Sequence, residues 1–509
     1  MKKLLPVLAV AVLVAGAARA DSHTNKTFLM PRAQGVNLPM EHTSFEEEFI
    51  PRKLENGKFG ATFAVTPFFQ QSTDRDDTAD YFLIHHKSTI TLQTEAGHAV
   101  SADYSTVTND LDINYLYHDS ARETGDQYST KVSLDPEQTV YGARMDYYQN
   151  LGVILKNLYL KIDAPIVHVE NDPELWVGSA TTAALAQNIE HYLQGKFEQN
   201  AESLLTGIEA PAVTDLTNLQ AKLTHAKMVK RSVSGLADVD VALGYKFINT
   251  EKYLLGLALA TTLPTGNKAT GEFMFEPIAG NGHHWGLGGD LYGTIRAWGK
   301  MKHNLKFFLR MKYRYLFSND ENRTLGIKGY DWGQYHLLGK LDSGSTVQYR
   351  SLIPAANVLT RRVDVTPGSQ FDGVLGMTYN NGGFSFDLGY NLYYRDAEEV
   401  SLDDKLPAST YFVAARNFDT AAAAAAISDH PEYVDGNLAA PWYVDNSNVT
   451  CDPAETPSQF TNSIYTALSY TFRKWEVPML MAIGGKYEFA SENSALQQWG
   501  IWMKTGVTF

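Results

Sequence analysis

Around residues 305 to 317 the chain alternates without a break: Leu305, Phe307, Leu309, Met311, Tyr313, Tyr315 and Phe317 fall on one face, with Lys306, Phe308, Arg310, Lys312, Arg314 and Leu316 on the other. A period of two is the signature of a β-strand. A charge facing lipid costs about 2 to 4 kcal/mol near mid-membrane, so in a membrane strand the basic row must face an interior and the apolar row the bilayer. Residues 284–299 repeat the pattern, with Trp285, Leu287, Leu291 and Ile295 outward and Asp290, Tyr292, Thr294, Arg296 and Trp298 inward. The same reading turns Asp238, Asp240 and Lys246 inward in 236–248, and Asp387, Asn391 and Arg395 inward in 382–396.

Fourteen alternating segments are predicted: 58–71, 80–95, 98–108, 137–149, 154–169, 236–248, 252–263, 284–299, 303–317, 369–380, 382–396, 459–473, 476–490 and 496–509. Each is long enough for a tilted membrane strand, which needs roughly nine to eleven residues. The connections between them are alternately long and short, every even one shorter than every odd one. Short turns on one side and long loops on the other belong to an all-β, antiparallel transmembrane barrel, whereas a soluble sandwich has no reason to sort its loops. Aromatic residues at strand ends, Tyr315 with Phe317 and Tyr245 with Phe247, suit girdles at the two membrane interfaces.

The chain stops on a strand of the same kind: Trp499, Ile501, Met503, Thr505, Val507 and Phe509 share one face. Phe509, Val507 and Trp499 are therefore expected to form the signal read by barrel-assembly machinery, with the last strand pairing with the first so that no sheet edge meets lipid. At the other end Lys2 and Lys3 precede an apolar run from Leu4 to Ala17 and the small-x-small site Ala18-Arg19-Ala20, a signal peptide over residues 1–20. Its loss takes the formal charge from −14 to −17, which disfavours nucleic acid as a partner. The single Cys451 permits no intrachain disulfide. The 28 Tyr and 24 Phe, without a long apolar run beyond the signal, fit strands whose inward faces dilute hydropathy.

Inward charges on the central strands are numerous and of both signs. Arg144, Lys161, Lys246, Arg296, Lys306, Arg310, Lys312, Arg314 and Arg395 are accompanied by Asp146, Asp163, Asp238, Asp240, Asp290, Asp372 and Asp387. Isolated charges are too costly for a dry core, so the interior must hold water, paired charges or a plug. A hairpin about Gly152 with partners summing to 307 sets Arg144 opposite Asp163 and Asp146 opposite Lys161, which would brace the wall. The row from Lys306 to Arg314 either sorts solutes by charge or braces an inserted loop.

Three insertions carry their own signals. Between 170 and 235, Leu185, Ile189, Tyr192, Leu193 and Phe197 recur at helical spacing, interrupted by Gly195, and predict a helix that caps the mouth or enters the pore. Loops 318–368 and 397–458 are long, the latter with a run of alanines from Ala421 to Ala426. Residues 21–57, with Pro31, Pro39 and Pro51, form a plug or a flexible lead-in ahead of the barrel over 58–509.

The run Leu236-Ala237-Asp238-Val239-Asp240-Val241, continuing through Gly244-Tyr245 to Leu263-Pro264-Thr265-Gly266-Asn267, resembles outer-membrane barrels of the phenol-degradation meta-pathway type, grouped with fatty-acid and aromatic-hydrocarbon transporters. The resemblance covers residues 235 to 300, with Pro264, Thr265 and Gly266 as its outer-loop motif. It implies a fourteen-stranded monomeric barrel with an N-terminal hatch, taking up small hydrophobic compounds. The segment Phe273-Met274-Phe275-Glu276-Pro277-Ile278 is then an apolar landing site or a packed lid.

Enzymatic readings find little footing. His85 with His86 and His283 with His284 point to opposite faces if extended, and no Gly-x-Ser-x-Gly or His-Glu-x-x-His run occurs. Asp74, Asp76, Asp77 and Asp80 lack the Gly and closing Glu of a calcium loop and read as a solvated outer loop. No metal or cofactor is implied. The residues point first to a pore in the cell outer membrane, passing small solutes through a charged lumen lined by Arg296, Lys306, Arg310, Lys312, Arg314, Asp238, Asp240, Asp290, Asp387 and Arg395. A gated, hatch-bearing transporter of hydrophobic or aromatic compounds is the alternative, and a surface barrel displaying loops for adhesion is a third. Outer-membrane lipid and a small-molecule solute are the expected partners, and the pattern assigns no oligomeric state.

Overall fold

The alternating segments close into a ring of twelve antiparallel strands: β1 (Ala61–Ser72), β2 (Glu137–Asn150), β3 (Leu158–Asp172), β4 (Val239–Asn249), β5 (Tyr253–Leu263), β6 (Gly286–Lys300), β7 (His303–Leu316), β8 (Gly368–Asn381), β9 (Phe384–Arg395), β10 (Gln459–Phe472), β11 (Met479–Glu492) and β12 (Gln498–Thr508). The computed structural model describes residues 25–43, 60–93, 110–116, 128–181, 183–196, 220–300, 303–340, 352–408, 410–413, 443–472, 477–492 and 497–509. Each strand pairs with its chain neighbours, and β1 pairs with β12 from Thr62↔Thr508 to Ser72↔Gln498. Ala61 and Phe509 exchange both backbone hydrogen bonds, at 2.9 and 3.0 Å, at the inner end of this seam. Closure pairs every strand on both sides, which lipid demands.

The expected count of fourteen is corrected to twelve. Segment 80–95 leaves the wall because Asp74 caps helix α2 (Arg75–Phe82), its carboxylate accepting from the Asp77 amide at 3.3 Å. His85 and His86 then turn at φ of 60° and 52°, which no strand accommodates, and only Thr89–Gln93 is extended. Segment 98–108 lies outside the described residues. An additional strand, Arg231–Leu236, pairs with the outer half of β3 while β4 takes its inner half. One wall position is thus filled by an interrupted strand, broken at Ala237 and Asp238.

The inner connections are 151–157, 250–252, 301–302, 382–383 and 473–478; the outer ones include 73–136, 173–238, 317–367 and 396–458. The last outer connection, 493–497, is shorter than two inner turns, so the strict sorting expected of the loops fails at that one place. Leu257, Leu259, Phe307, Leu375, Ile464, Ile483, Ile501 and Met503 form an exposed apolar belt, and Phe509, 60 % exposed, joins it. Tyr315 and Phe317 lie edge to face at 5.5 Å at the outer end, Tyr245 with Phe247 (5.1 Å) and Tyr470 with Phe472 (4.8 Å) at the inner end. Trp298, expected inside, is outside and 56 % exposed. A β-bulge between Arg296 and Trp298 sets Trp298 opposite outward Leu305 and reverses the alternation.

The described parts of the outer connections pack into a cap with its own hydrophobic core, including Phe82, Leu92, Ile113, Val132, Leu223, Trp332, Tyr335, Leu338 and Val449. Helix α3 (Ala183–Leu193) buries Leu185, Ile189, Tyr192 and Leu193 in it and stops at Gly195, whose φ of 67° suits a helix end. Its buried residues belong to the same cluster as Phe82, Trp332 and Tyr335, while Phe197, the last residue of the expected stripe, lies outside the described residues. Trp332 is fully buried, its indole donating to the Phe82 carbonyl at 2.8 Å. Trp332→Ala should cost about 3 to 5 kcal/mol and loosen the cap without opening the ring. Limited proteolysis should then cut the outer loops faster while the barrel keeps its heat-modifiable gel migration; unchanged cleavage would count against an independent cap core.

Candidate functional site

Residues 25–43 run from the cap down into the barrel and are buried along most of their length. Local chemistry shapes the segment. Arg32 bonds the Val36 carbonyl (2.6 Å) around a turn, and Asn37 caps the short helix α1 (Leu38–His42), accepting from the Met40 amide at 3.2 Å, with Pro39 inside the first turn. Thr43 closes the helix by donating to the Pro39 carbonyl at 3.0 Å.

Two charges of this plug meet matching charges on the wall. Arg32 pairs with Asp372 (2.8 Å) on β8 and Glu488 (3.3 Å) on β11, donates to Asn391 at 3.0 Å, and lies 4.5 Å above the Tyr393 ring. Asp372 also accepts from the Leu38 amide at 3.1 Å, and Lys486 balances Glu488 at 3.0 Å. Glu41 meets Arg144 (2.8 Å), Lys312 (2.6 Å) and Lys161, and Lys312 lies in register beside Asp372. Arg144 is held in turn by Asp146 (2.6 Å) and Asp163 (2.8 Å), while Lys504 donates to the Glu41 carbonyl at 2.7 Å. Each side-chain ion is buried and paired, the arrangement that makes breaking it costly.

Between these contacts lies an apolar layer. Leu38 and Met40 pack among Phe68, Val140, Val167, Phe308, Val374, Tyr465 and Trp502, all on inward faces. The His42 ring sits over Phe308 with centroids 3.8 Å apart, and the Trp502 indole donates to Thr43 at 3.1 Å. Nearer the inner end Tyr148, Tyr159 and Tyr292 lie across the wall in contact. Glycines lie beneath them: a Cβ on Gly244 would fall 2.1 Å from the Tyr159 ring, and one on Gly256 2.3 Å from that of Tyr292, so a side chain at either would displace the ring above it. A cavity of about 30 Å³, water-sized, remains between the plug's Ala33, Gly35 and Val36 and the wall's Asp163, Asp238, Lys312 and Arg314.

The connection 264–285 fastens the plug from above. Gln34 donates to the Ile278 carbonyl (3.1 Å) and accepts from the Gly280 amide (2.8 Å), and Phe28 and Met30 pack on Ala269 and Ile278. Met274 and Phe275 are buried, so Phe273–Ile278 is a packed lid. In the Pro264-Thr265-Gly266 turn, Thr265 donates to the Ala237 carbonyl at 2.6 Å and the Gly266 amide faces Asp238 at 3.4 Å. A Cβ at Gly266 would lie 2.1 Å from the Ala279 carbonyl oxygen, so only glycine permits this approach.

The residues singled out as lumen-facing do not act as one group. Lys312 and Arg314 face carboxylates: Lys312 meets Asp163 (3.3 Å) and Asp240 (3.6 Å), Arg314 meets Asp240 (3.1 Å) and Asp290 (2.7 Å). Arg310 lies 5.5 Å over the Tyr292 ring, whereas Lys306 and Arg296 are register partners near the inner end, Arg296 reaching Glu251 at 3.4 Å. Asp387 accepts from Thr378 at 2.6 Å, and Arg395 holds the Met30 carbonyl at 3.0 Å near the cap. Of the three fillings expected for the interior (water, paired charges or a plug), the described residues show charges that close on each other and on residues 25–43. The expected β2–β3 braces also shift: Arg144 lies opposite Pro165 and Asp146 opposite Asp163, a register two residues away that keeps the same faces inward. Arg32, Glu41 and His42, absent from the sequence-based candidates, are central. A capped Asn37-Leu-Pro-Met-Glu turn was their only local signal.

The electrostatics around Glu41 and His42 predict that docking of residues 25–43 depends on pH. Burial, with Arg310 and Lys504 nearby, holds the His42 imidazole well below its ordinary 6.5, neutral against Phe308. For Glu41 burial alone would push the carboxyl up, but Lys161, Lys312 and Arg144 hold it below the usual carboxylate range. Released His42 regains its ordinary affinity for a proton, so the docked state loses stability as pH falls below about 6.5, by at most tenfold per unit, and Glu41 adds to this below about 4.5. Open probability in planar bilayers should therefore rise from pH 7 to pH 5, and His42→Leu should flatten that rise. A fall in open probability over the same range would contradict the assignment.

A closed antiparallel ring with an apolar belt, aromatic ends and a charged interior is a transmembrane barrel of the outer membrane. Similar solved structures are an outer-membrane channel from Pseudomonas putida F1 (13% identity, covering 90% of this chain and 99% of that one, TM-score 0.36), the Ralstonia pickettii toluene transporter TbuX (9%, 96% and 96%, 0.28) and the Pseudomonas putida toluene transporter TodX (7%, 95% and 94%, 0.29). No family model and no curated sequence matches the chain.

Proposed function

We propose that the protein is a gated outer-membrane conduit for small, largely apolar solutes, closed in this structure by residues 25–43. The observation that carries the reading is the apolar layer inside a charged lumen, built by Phe68, Val140, Val167, Phe308, Val374, Tyr465 and Trp502 and filled by Leu38 and Met40 of the plug. A polar pore has no use for such a layer. Opening exposes it to water at a cost of roughly 25 cal/mol per Å², which an apolar solute offsets by covering it. Solutes that do so shift the population toward the open state; sugars do not. Cells expressing the protein should take up a labelled monoaromatic solute several-fold faster than cells without it, with little change for glucose. Equal acceleration of both would favour an open polar pore, and acceleration of neither would remove the conduit reading.

A further inference from the structure

One inner turn breaks the chemistry of its position. Turns that face water are built from Gly, Asn, Asp, Ser and charged residues, and of the inner connections described in full, 250–252 is Thr-Glu-Lys and 382–383 is Gly-Gly. The connection 151–157 instead reads Leu-Gly-Val-Ile-Leu-Lys-Asn, and its Val153, Ile154 and Leu155 are 50, 72 and 52 % exposed. A run of exposed apolar residues at a turn is a fault unless something apolar covers it. We infer that the covering is phospholipid: this tip is sunk in the inner leaflet of the outer membrane, a local extension of the apolar belt beyond the ends of β2 and β3. Such an anchor serves the barrel whatever solute it conducts.

The tip joins the belt on both sides. β2 lies beside β1, where exposed Phe63 pairs in register with Tyr147; β4 flanks β3, with Leu158 opposite Tyr245 and the Asn157 carbonyl accepting from the Lys246 amide at 3.0 Å. Phe247 and Ile248, both exposed, follow directly on that strand. The turn also closes its own backbone, as entry into an apolar layer requires. The Leu151 amide donates to the Leu158 carbonyl at 2.9 Å, the Ile154 and Leu155 amides to the Leu151 carbonyl at 2.8 and 3.1 Å, and the Gly152 amide to the Asn150 side chain at 2.7 Å. Lys156 follows the apolar run and is exposed, as are Lys252 and Lys300 at the same inner rim. A lysine there lays its methylenes along acyl chains and its ammonium among the phosphates. In a two-fold dimer built on this tip Lys156 would approach its own copy, so charge favours phospholipid over a second chain.

The test places a nitrobenzoxadiazole label on Ile154→Cys in full-length protein carrying Cys451→Ser, held in phospholipid nanodiscs whose two faces both meet buffer. Glu251→Cys, in the polar turn 250–252, is the water-exposed reference. Nitroxide carried on the phospholipid acyl chains should quench the label at 154 several-fold more than at 251, and aqueous iodide several-fold less. Leu155→Cys should behave as Ile154→Cys does, so that one misfolded variant does not decide the question, and heat-modifiable migration reports the fold of each. Iodide quenching at 154 equal to that at 251 would leave the tip in water and overturn the assignment. Shielding from both quenchers would mean that protein covers the tip, and cross-linking of Ile154→Cys barrels to one another in vesicles would give the surface to a second copy; either result overturns it too.

Discussion

Deleting residues 25–43 should turn a nearly insulating barrel into one showing stepwise conductance, roughly tenfold or more above the background of the intact protein. The plug contributes no strand to the ring, whose ladders run from β1 to β12 without it. Removing it leaves Asp372 and Glu488 without Arg32, and Arg144, Lys161 and Lys312 without Glu41, but water then fills the lumen and solvates them. The ring should therefore assemble and stay heat-modifiable. The cap is a separate matter, since Asn25 accepts from the Trp332 amide at 3.0 Å and from Gln334 at 3.0 Å. Deleting only residues 34–43 spares those contacts and should open the pore with the cap intact. Conductance unchanged by both deletions would mean that something else blocks the path.

Glu41→Lys should unlatch the plug while keeping its length. The substitution places a fourth cation among Arg144, Lys161 and Lys312, and breaking a buried pair typically costs about 3 to 5 kcal/mol. At about 1.4 kcal/mol per decade, the closed-to-open ratio should fall by roughly two to four orders of magnitude. Glu41→Gln should fall between the two, retaining an acceptor without the charge. Lys312→Glu introduced together with Glu41→Lys should restore part of the closure, a coupling readable as a double-mutant cycle in open probability. A Glu41→Lys channel that stayed shut would show that the plug is held by packing and by its lid, not by this cage.

Much of the wall was legible in the alternation of single strands. On β7, the division between Leu305, Phe307, Leu309 and the basic row was readable because a lipid face and a lumen face obey opposite rules. Helix α3 was readable for a related reason, its buried Leu185, Ile189 and Tyr192 recurring at helical spacing. What failed was set by contacts distant in sequence or by single-residue geometry. The bulge that turns Trp298 outward inserts one residue that periodicity cannot see. Segment 80–95 looks like a strand until Asp74 caps the helix before it. The partners of Arg32 and Glu41 lie hundreds of residues away or across the lumen, and no local pattern announces them. Lys486, Glu488 and Lys504 are buried on β11 and β12, beyond the central strands whose inward charges the alternation picks out.

The seam between β1 and β12 joins the two ends of the ring-forming chain, and residues 25–43 precede β1 while lying inside the ring it completes. The barrel is therefore wound around its own leading end, as a cast is made around a former. Zipping the seam before that segment is inside would strand it on the periplasmic side, facing a closed ring and a folded lid. Such a former cannot be supplied afterwards. A synthetic peptide of residues 25–43 added to the finished deletion barrel should restore closure far less well than the same segment synthesised as part of the chain, because order of assembly, as much as affinity, puts it in place.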